Sequence, residues 1–327
     1  MIFALTLGDP AGIGPEITIK ALSSAENSYP VVVIGDLAVL QNAARILKID
    51  PVFHAVSDIE DYRESAINVL DLKILSPQQY KLGAAQPLCG KASYLYIQKA
   101  IDLAIDKQVD GVITNPINKE SLRMAGINFP GHTEIFAQRT NSSDYSMLFL
   151  LRNVGVAHVT THCSLREAIG LISKQRVLKN IHLLNRAMKG LGVSVPRIAV
   201  AGLNPHAGEN GLFGDEEIIQ ISPAIQQASK EGIVVSGPYP PDTVFMRAFR
   251  GEFDGIVSML HDHGFVALKS MDFEHGVNIT IGLPIIRTSV GHGTAYDLAG
   301  KGLASEESLK AALRAASLLC KNRREKQ

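Results

Sequence analysis

The chain has 327 residues, 46% of them hydrophobic and 20% charged, and its 32 basic side chains are balanced by 32 acidic ones. That length allows roughly two domains with cores of their own, and the zero net charge leaves no electrostatic footprint for nucleic acid or an anionic membrane. Three scattered cysteines, and no apolar run near the ~18 residues that span a bilayer, set aside disulfide frameworks and membrane proteins along with fibrous and disordered classes. In chain order, the N-terminal residues read as a first strand, Phe3–Leu7, in place of a signal peptide, and the few cysteines suit a reducing cytoplasm. Further strands are expected at Val31–Ile34, Gly111–Thr114, Ile198–Ala201, Gly255–Met259 and Val277–Ile281. Several are unbroken apolar runs, the pattern of strands buried on both faces of a parallel sheet. Helical periodicity marks Pro15–Leu22, Ala38–Leu47, Lys91–Ile105, Lys174–Met188, Asp215–Ala228 and Glu306–Leu319. In Lys91–Ile105, Tyr94, Ile97, Ile101 and Ile105 recur at helical spacing and are expected to form one buried face. Within Met147–His162 two strands joined by a tight turn are expected, the second running through VAHVTTH (156–162), where strand alternation would put His158 and His162 on one side. The alternation argues for an α/β architecture.

Chemistry concentrates at the ends of these runs. Gly8–Glu16 links the first strand to the first helix, and its glycines permit either a backbone loop close to a ligand or simply a tight connection. It matches neither the dinucleotide fingerprint nor the P-loop. Thr114–Lys119 leaves a strand and enters a helix that Asn118 is placed to cap. Pro130–Glu134 puts His132 and Thr133 ahead of the helical run Ile135–Arg139, where backbone N–H groups receive anions. His162, His206 and His261 each lie at or just past the end of a separate apolar strand, where α/β sheets gather ligand groups. Three imidazoles with an open position make a catalytic site for Zn²⁺, Co²⁺ or a similar divalent ion. Lys269, Asn278 and Arg287 supply a lysine, an amide and an arginine beside apolar strands, and Arg287 suits carboxylate or phosphate. The segment after Arg287 ends in a glycine loop, expected to run into a helix.

Taken together, GDPAGIGPE (8–16), PGHTE (130–134), TTH (160–162), LNPHAGE (203–209), HDHGFVALK (261–269), GVNITIGLPIIRTS (276–289) and HGTAYDLAGKG (292–302) resemble the 4-hydroxythreonine-4-phosphate dehydrogenase (PdxA) family in order along nearly the whole chain. The resemblance implies a two-domain α/β fold similar to isocitrate and isopropylmalate dehydrogenases, with mainly parallel sheets and helices on both faces. Residues 1–128 with 272–327 would form one domain and 129–271 the other. It also implies a homodimer whose shared active sites lie in the interdomain cleft. His162, His206 and His261 would hold the metal (Zn, Co, Mg or Mn), one of them reaching across from the partner subunit. His132, Thr133, Lys269, Asn278 and Arg287 would bind a phosphorylated substrate; His292, Gly293, Thr294, Ala295 and Asp297 would lie against NAD. Lys269 and Asp262 are the candidates for proton transfer.

The implied reaction is oxidation of a C3 hydroxyl followed by decarboxylation. The family pattern usually has Tyr before the metal-loop histidine, Asp-Gln-Gly after it, and Asp in the last glycine loop. Here Leu260, His263 and Gly291 stand at those places. These departures point to 4-phospho-D-threonate, which would yield dihydroxyacetone phosphate, with 4-hydroxythreonine 4-phosphate of vitamin B6 biosynthesis as the alternative. No basic residue for a 2′-phosphate is evident, which favours NAD over NADP. A metal-dependent hydrolase or lyase without nicotinamide, and a binding module for phosphorylated small molecules, are the competing classes.

Overall fold

A computed structural model describes residues 1–24, 29–272 and 274–324. The chain divides into two compact units, the first built from Met1–Ser143 and Leu283–Cys320, the second from Asp144–Gly282 with the residues from Lys321 onward. The first unit opens with β1 (Phe3–Thr6), α1 (Gly14–Ser23), β2 (Val31–Gly35), α2 (Leu37–Leu47), β3 (Phe53–Val56), β4 (Ile67–Asp71) and α3 (Pro87–Ile105). It continues through β5 (Gly111–Thr114), α4 (Lys119–Met124) and α5 (His132–Arg139). The second unit holds β6 (Ser146–Leu151), β7 (Val154–His158), α6 (Leu165–Leu171), α7 (Lys174–Gly190) and β8 (Ile198–Ala201). After β8 come α8 (Ser222–Lys230), β9 (Val235–Tyr239), α9 (Val244–Phe249), β10 (Gly255–Ser258), α10 (His261–Met271) and β11 (Val277–Ile281). The chain then returns to the first unit as β12 (Arg287–Val290) and α11 (Glu307–Arg324).

Six strands of the first unit lie in the order β3-β4-β2-β1-β5-β12, and every neighbouring pair is parallel. Continuous apolar sequence explains the centre: all of β1, β2 and β5 is buried, as parallel strands covered on both faces require. Helix α3 buries Tyr96, Ile97, Ala100 and Ile101 completely, whereas Tyr94 is half-buried and Ile105, in the last turn, is exposed, so the buried face is narrower than and rotated from the one expected. Burying an aliphatic side chain of that size contributes about 1.5–3 kcal/mol before entropic costs.

In the second unit the order is β11-β6-β7-β10-β8-β9. β6 pairs antiparallel with both β11 and β7, which confirms the hairpin expected between Met147 and His162. β7, β10 and β8 are mutually parallel neighbours, and β9 closes the edge beside β8. Their core joins Phe149, Val156 and Ile256 from the strands to Phe245 of α9 and Phe265 and Leu268 of α10. The α/β class with mainly parallel pairing is therefore the one expected from the sequence.

Further local expectations need correction. The second hairpin strand stops at His158, not His162: Val159 N–H still bonds Ser258 O at 2.9 Å and Thr160 N–H bonds Met259 O at 3.2 Å, but His162 has φ +48°. A left-handed residue cannot continue the pleat, so strand alternation does not place His158 and His162 on one face. The glycine loop after Arg287 does not run into a helix either; Tyr296–Gly302 is a series of turns, and α11 begins only at Glu307.

Candidate functional site

Each of the three histidines follows the C-terminal end of one strand in the parallel trio β7, β10 and β8. That end is the side where α/β sheets present ligand groups, since loops there are free of the strand ladder. His261 opens helix α10, three residues after β10 ends. Its Nδ1 lies 2.7 Å from Asp262 Oδ1. A carboxylate only accepts, so Nδ1 donates and the Nε2 lone pair is left to face a ligand. The His162 and His261 rings lie 5.7 Å apart between centroids.

His206 stands apart from this pair, its ring 6.3 Å from that of Phe213. Among the described residues, no group of three His, Cys, Asp or Glu side chains is arranged to hold a metal ion. The backbone around His206 explains its placement. His206, Ala207, Gly208, Glu209 and Asn210 all have left-handed conformations, with φ of 53°, 54°, 80°, 43° and 56°. Four of these five are not glycine, and each such residue costs roughly 1–2 kcal/mol. A run like that persists only when its surroundings over-determine it. Buried Glu217 does part of this, accepting hydrogen bonds from the N–H groups of Leu203 (2.7 Å) and Asn204 (2.8 Å) and from Asn204 Nδ2 (2.9 Å).

His158 shares the neighbourhood of His261, with 6.1 Å between ring centroids. It stacks on Phe265 at 4.8 Å and 5°. Both its nitrogens are shielded from solvent and find no hydrogen-bond partner among the described residues, and burial first, then His261 and His162, hold its pKa down at about 3. It is neutral throughout the physiological range. Gly264 makes room for it, because a Cβ there would sit 2.2 Å from His158 Nε2. His263, beside it in sequence, also has its pKa lowered by burial. Of the remaining second-unit candidates, Lys269 lies in the last turn of α10 with Nζ 5.3 Å from the Phe265 ring. Asn278 sits on β11 in register with Phe149, and Asp262 is largely exposed.

The first unit brings His132, Thr133 and Arg287 together. His132 and Thr133 form the first turn of α5, one turn earlier than the helical run expected from the sequence. Arg287 begins β12; it is 4% exposed, its Nη2 donates to Thr114 Oγ1 at 2.8 Å, and its guanidinium lies 5.6 Å from the Phe136 ring centroid. Burial lowers its pKa to about 9, partly offset by Glu134. Burial and the Arg287 charge push His132 well below the usual imidazole value, and its shielded Nε2 has no partner among the described residues. A buried cation beside a neutral imidazole at a helix start has the chemistry to receive an anion, whose binding would repay the cost of desolvating the guanidinium.

The two glycine loops of this unit interlock. Ile13 N–H bonds Thr294 O at 3.0 Å, and Tyr296 OH donates to Asp9 Oδ2 at 2.8 Å. Gly302 N–H reaches Glu16 Oε2 at 3.0 Å, and Gly300 N–H also bonds the Glu16 carboxylate. Gly8 has φ +76°, and a Cβ there would meet Pro116 O at 2.5 Å, so a tight connection is part of what these glycines provide. Asp9 is fully buried, and burial raises its pKa against the opposing bonds from Ala11 N–H and Tyr296 OH. His292 lies in the loop with Nδ1 3.0 Å from Gly293 O, while Thr294 is buried, Ala295 is left-handed and Gly293 and Asp297 are exposed.

Sequence reasoning gave no role to Asp9 or Glu217 in these sites. Asp9 stood inside a motif read only for its glycines. Glu217 carried no signal, since an acid within an amphipathic run ordinarily faces water.

Comparison with known proteins gives this geometry its context. The family model described as pyridoxal phosphate biosynthetic protein PdxA matches residues 26–316. A D-threonate 4-phosphate dehydrogenase of Salmonella typhimurium is 45% identical over 320 residues, 97% of this chain and 98% of that protein. Another D-threonate 4-phosphate dehydrogenase, from Pectobacterium atrosepticum, is 44% identical over 324 residues, 97% and 99% of the two chains. The crystal structure of a 4-hydroxythreonine-4-phosphate dehydrogenase from Klebsiella pneumoniae superposes with a TM-score of 0.86 at 41% identity, covering 98% of this chain and 99% of that one. With a family match across most of its length and relatives this similar end to end, the chain belongs to the PdxA family of dehydrogenases and is an oxidoreductase.

Proposed function

We propose that this chain is an NAD- and divalent-metal-dependent dehydrogenase that oxidises C3 of 4-phospho-D-threonate and releases carbon dioxide and dihydroxyacetone phosphate. The observation that carries the reading is the full-length similarity to D-threonate 4-phosphate dehydrogenases. Leu260, His263 and Gly291 agree with it, standing where the family's usual tyrosine, glutamine and aspartate are replaced. The substrate is then a phosphorylated small molecule, and the reaction suits a cytoplasmic enzyme. Among the described residues no helix is long and apolar enough to cross a membrane.

The donor chemistry of His162, His206 and His261 fits a divalent ion: neutral imidazoles are its common ligands, and Asp262 fixes the tautomer of His261. Because only His162 and His261 meet within one chain, the complete set is assigned to a homodimer with shared sites. Exposed apolar side chains on the histidine-bearing segments support such an interface, among them Leu165, Leu212, Phe213 and Val266. A divalent ion held by His162, His206 and His261 would supply Lewis acidity for the oxidation and the decarboxylation. NAD supplies the hydride acceptor, and His292, Gly293, Thr294, Ala295 and Asp297 are assigned to hold it. Arg287, His132 and Thr133 grip an anionic group of the substrate, with Lys269 and Asn278 as further contacts. Arg287 brings the charge, and His132, kept neutral by its surroundings, offers hydrogen bonding without competing for a proton. Asp262 orients His261, while Lys269 or Asp262 moves the proton as C3–OH becomes a ketone and as the enolate is protonated at carbon. Since the chain is a dehydrogenase, the hydrolase and binding-module readings fall away.

The second reading, 4-hydroxythreonine 4-phosphate as substrate, is favoured by the similarity to the Klebsiella pneumoniae enzyme. Absorbance at 340 nm with each substrate, with enzymatic detection of dihydroxyacetone phosphate, decides between them. Faster turnover of the hydroxy acid is expected; preference for the amino acid overturns the choice. His206→Ala is expected to abolish turnover and bound metal while leaving the fold in place.

A further inference from the structure

Glu217 opens a short π-helical turn, Glu217–Ile221, and is only 3% exposed. A buried carboxylate must be compensated, and here the compensation converges from one short stretch of chain. Oε1 accepts from Leu203 N–H and Asn204 N–H, and Oε2 accepts from Asn204 Nδ2. Those donors stand at the entrance to the left-handed run His206–Asn210. The carboxylate also lies against both glycines that flank the histidine: a Cβ on Gly202 would be 3.0 Å from Oε1, and one on Gly208 would be 2.7 Å from Oε2. Side chain, donors and glycines thus form one fitted assembly around the turn that carries His206. A helix-facing acid that served only solubility would need none of them.

We propose that Glu217 is the positioning residue for His206: it clamps Leu203 and Asn204 and presses on Gly202 and Gly208, so that the turn is set before a metal arrives. This rests on the assignment of His206 as a metal ligand. Without the clamp the segment relaxes toward ordinary right-handed backbone, and the imidazole is lost from its place while the rest of the unit stays folded.

Glu217→Gln separates charge from shape. Its amide oxygen can keep the two backbone N–H donors, but its NH₂ then faces Asn204 Nδ2, donor against donor. Co²⁺ is titrated into the full-length, chelator-treated protein and followed by the visible absorption of the bound ion; thermal unfolding of the metal-free protein is recorded in parallel. Expected are a 10–100-fold loss of Co²⁺ affinity and an altered spectrum, with little change in the metal-free unfolding midpoint. Adding Ala207→Gly, which lets a left-handed residue adopt its conformation without a Cβ penalty, is expected to recover at least fivefold of that affinity. Should Glu217→Gln fail to fold, Asn204→Ala removes the donor on Oε2 and is expected to weaken Co²⁺ binding severalfold. Wild-type affinity and spectrum in the variant used, alongside loss of binding in His206→Ala, overturn the positioning role. Wild-type affinity in His206→Ala instead overturns the metal assignment, and the positioning role with it.

Discussion

Arg287→Met tests the idea that the first unit spends stability to keep a cation ready for an anion. Burial lowers the Arg287 pKa from 12.5 to about 9. At 1.36 kcal/mol per unit, holding the charged guanidinium in place opposes folding by about 5 kcal/mol, an upper bound for so buried a group. Methionine is of similar length and apolar, so it removes that cost. It also deprives Thr114 Oγ1 of its 2.8 Å donor, a loss of about 1–3 kcal/mol. The net expectation is a protein more stable by about 2–4 kcal/mol, or about 5–15 °C in Tm for a domain of this size. Below pH 9 folded and unfolded states both carry the proton, so the advantage of the variant is constant between pH 6 and 8. Differential scanning calorimetry across this range measures the effect, and millimolar inorganic phosphate is expected to raise the Tm of the wild type only. Turnover of the phosphorylated substrate is expected to fall at least 100-fold. A variant less stable than the wild type, or one stabilised equally by phosphate, refutes the reasoning.

Other positions give sharp expectations. Tyr296→Phe removes the donor to buried Asp9 and is expected to cost about 1.5–3 kcal/mol and to raise the KM for NAD more than that for the substrate, read from initial rates. Gly264→Ala puts a methyl 2.2 Å from His158 Nε2, so urea titration should show a loss of about 1–3 kcal/mol; Gly293→Ala, with nothing within 4 Å of its Cβ, should change stability by less than about 0.5 kcal/mol. Gly90→Ala drives a methyl to 2.0 Å from the Ser121 carbonyl oxygen, a backbone atom that cannot swing aside, and soluble yield is expected to collapse.

The buried parallel strands were legible because their sequence is almost wholly apolar: Gly111–Thr114 and Ile198–Ala201 coincide with β5 and β8. Strands lacking that pattern escaped notice. β12, Arg-Thr-Ser-Val, is wholly buried despite three polar residues, because the guanidinium and hydroxyls find partners inside the unit. β9 lies at the sheet edge and contains Gly237 and Pro238, which weaken any local strand signal. The run Asp215–Ala228 reads as one helix, yet the structure divides it into the π-helical turn that carries Glu217 and α8, whose first turn holds Pro223. As for the sites, histidines past strand ends were visible as a pattern. The left-handed turn under His206 was not, since Ala207, Glu209 and Asn210 adopt by tertiary constraint what their own preferences resist.

The first unit's sheet is completed by a strand that the ribosome makes late. β5 pairs with β1 early in the chain, but its other neighbour, β12, begins only at Arg287. At 5–20 residues per second, the interval between Thr114 and Val290 leaves one row of β5 amides and carbonyls open for about 10–35 s on a nascent chain. The whole segment from Asp144 to Gly282 emerges within that interval and has time to fold first. Slowed translation between these points therefore lengthens the exposure of an apolar strand edge, and aggregation during expression should track elongation rate more closely than equilibrium stability.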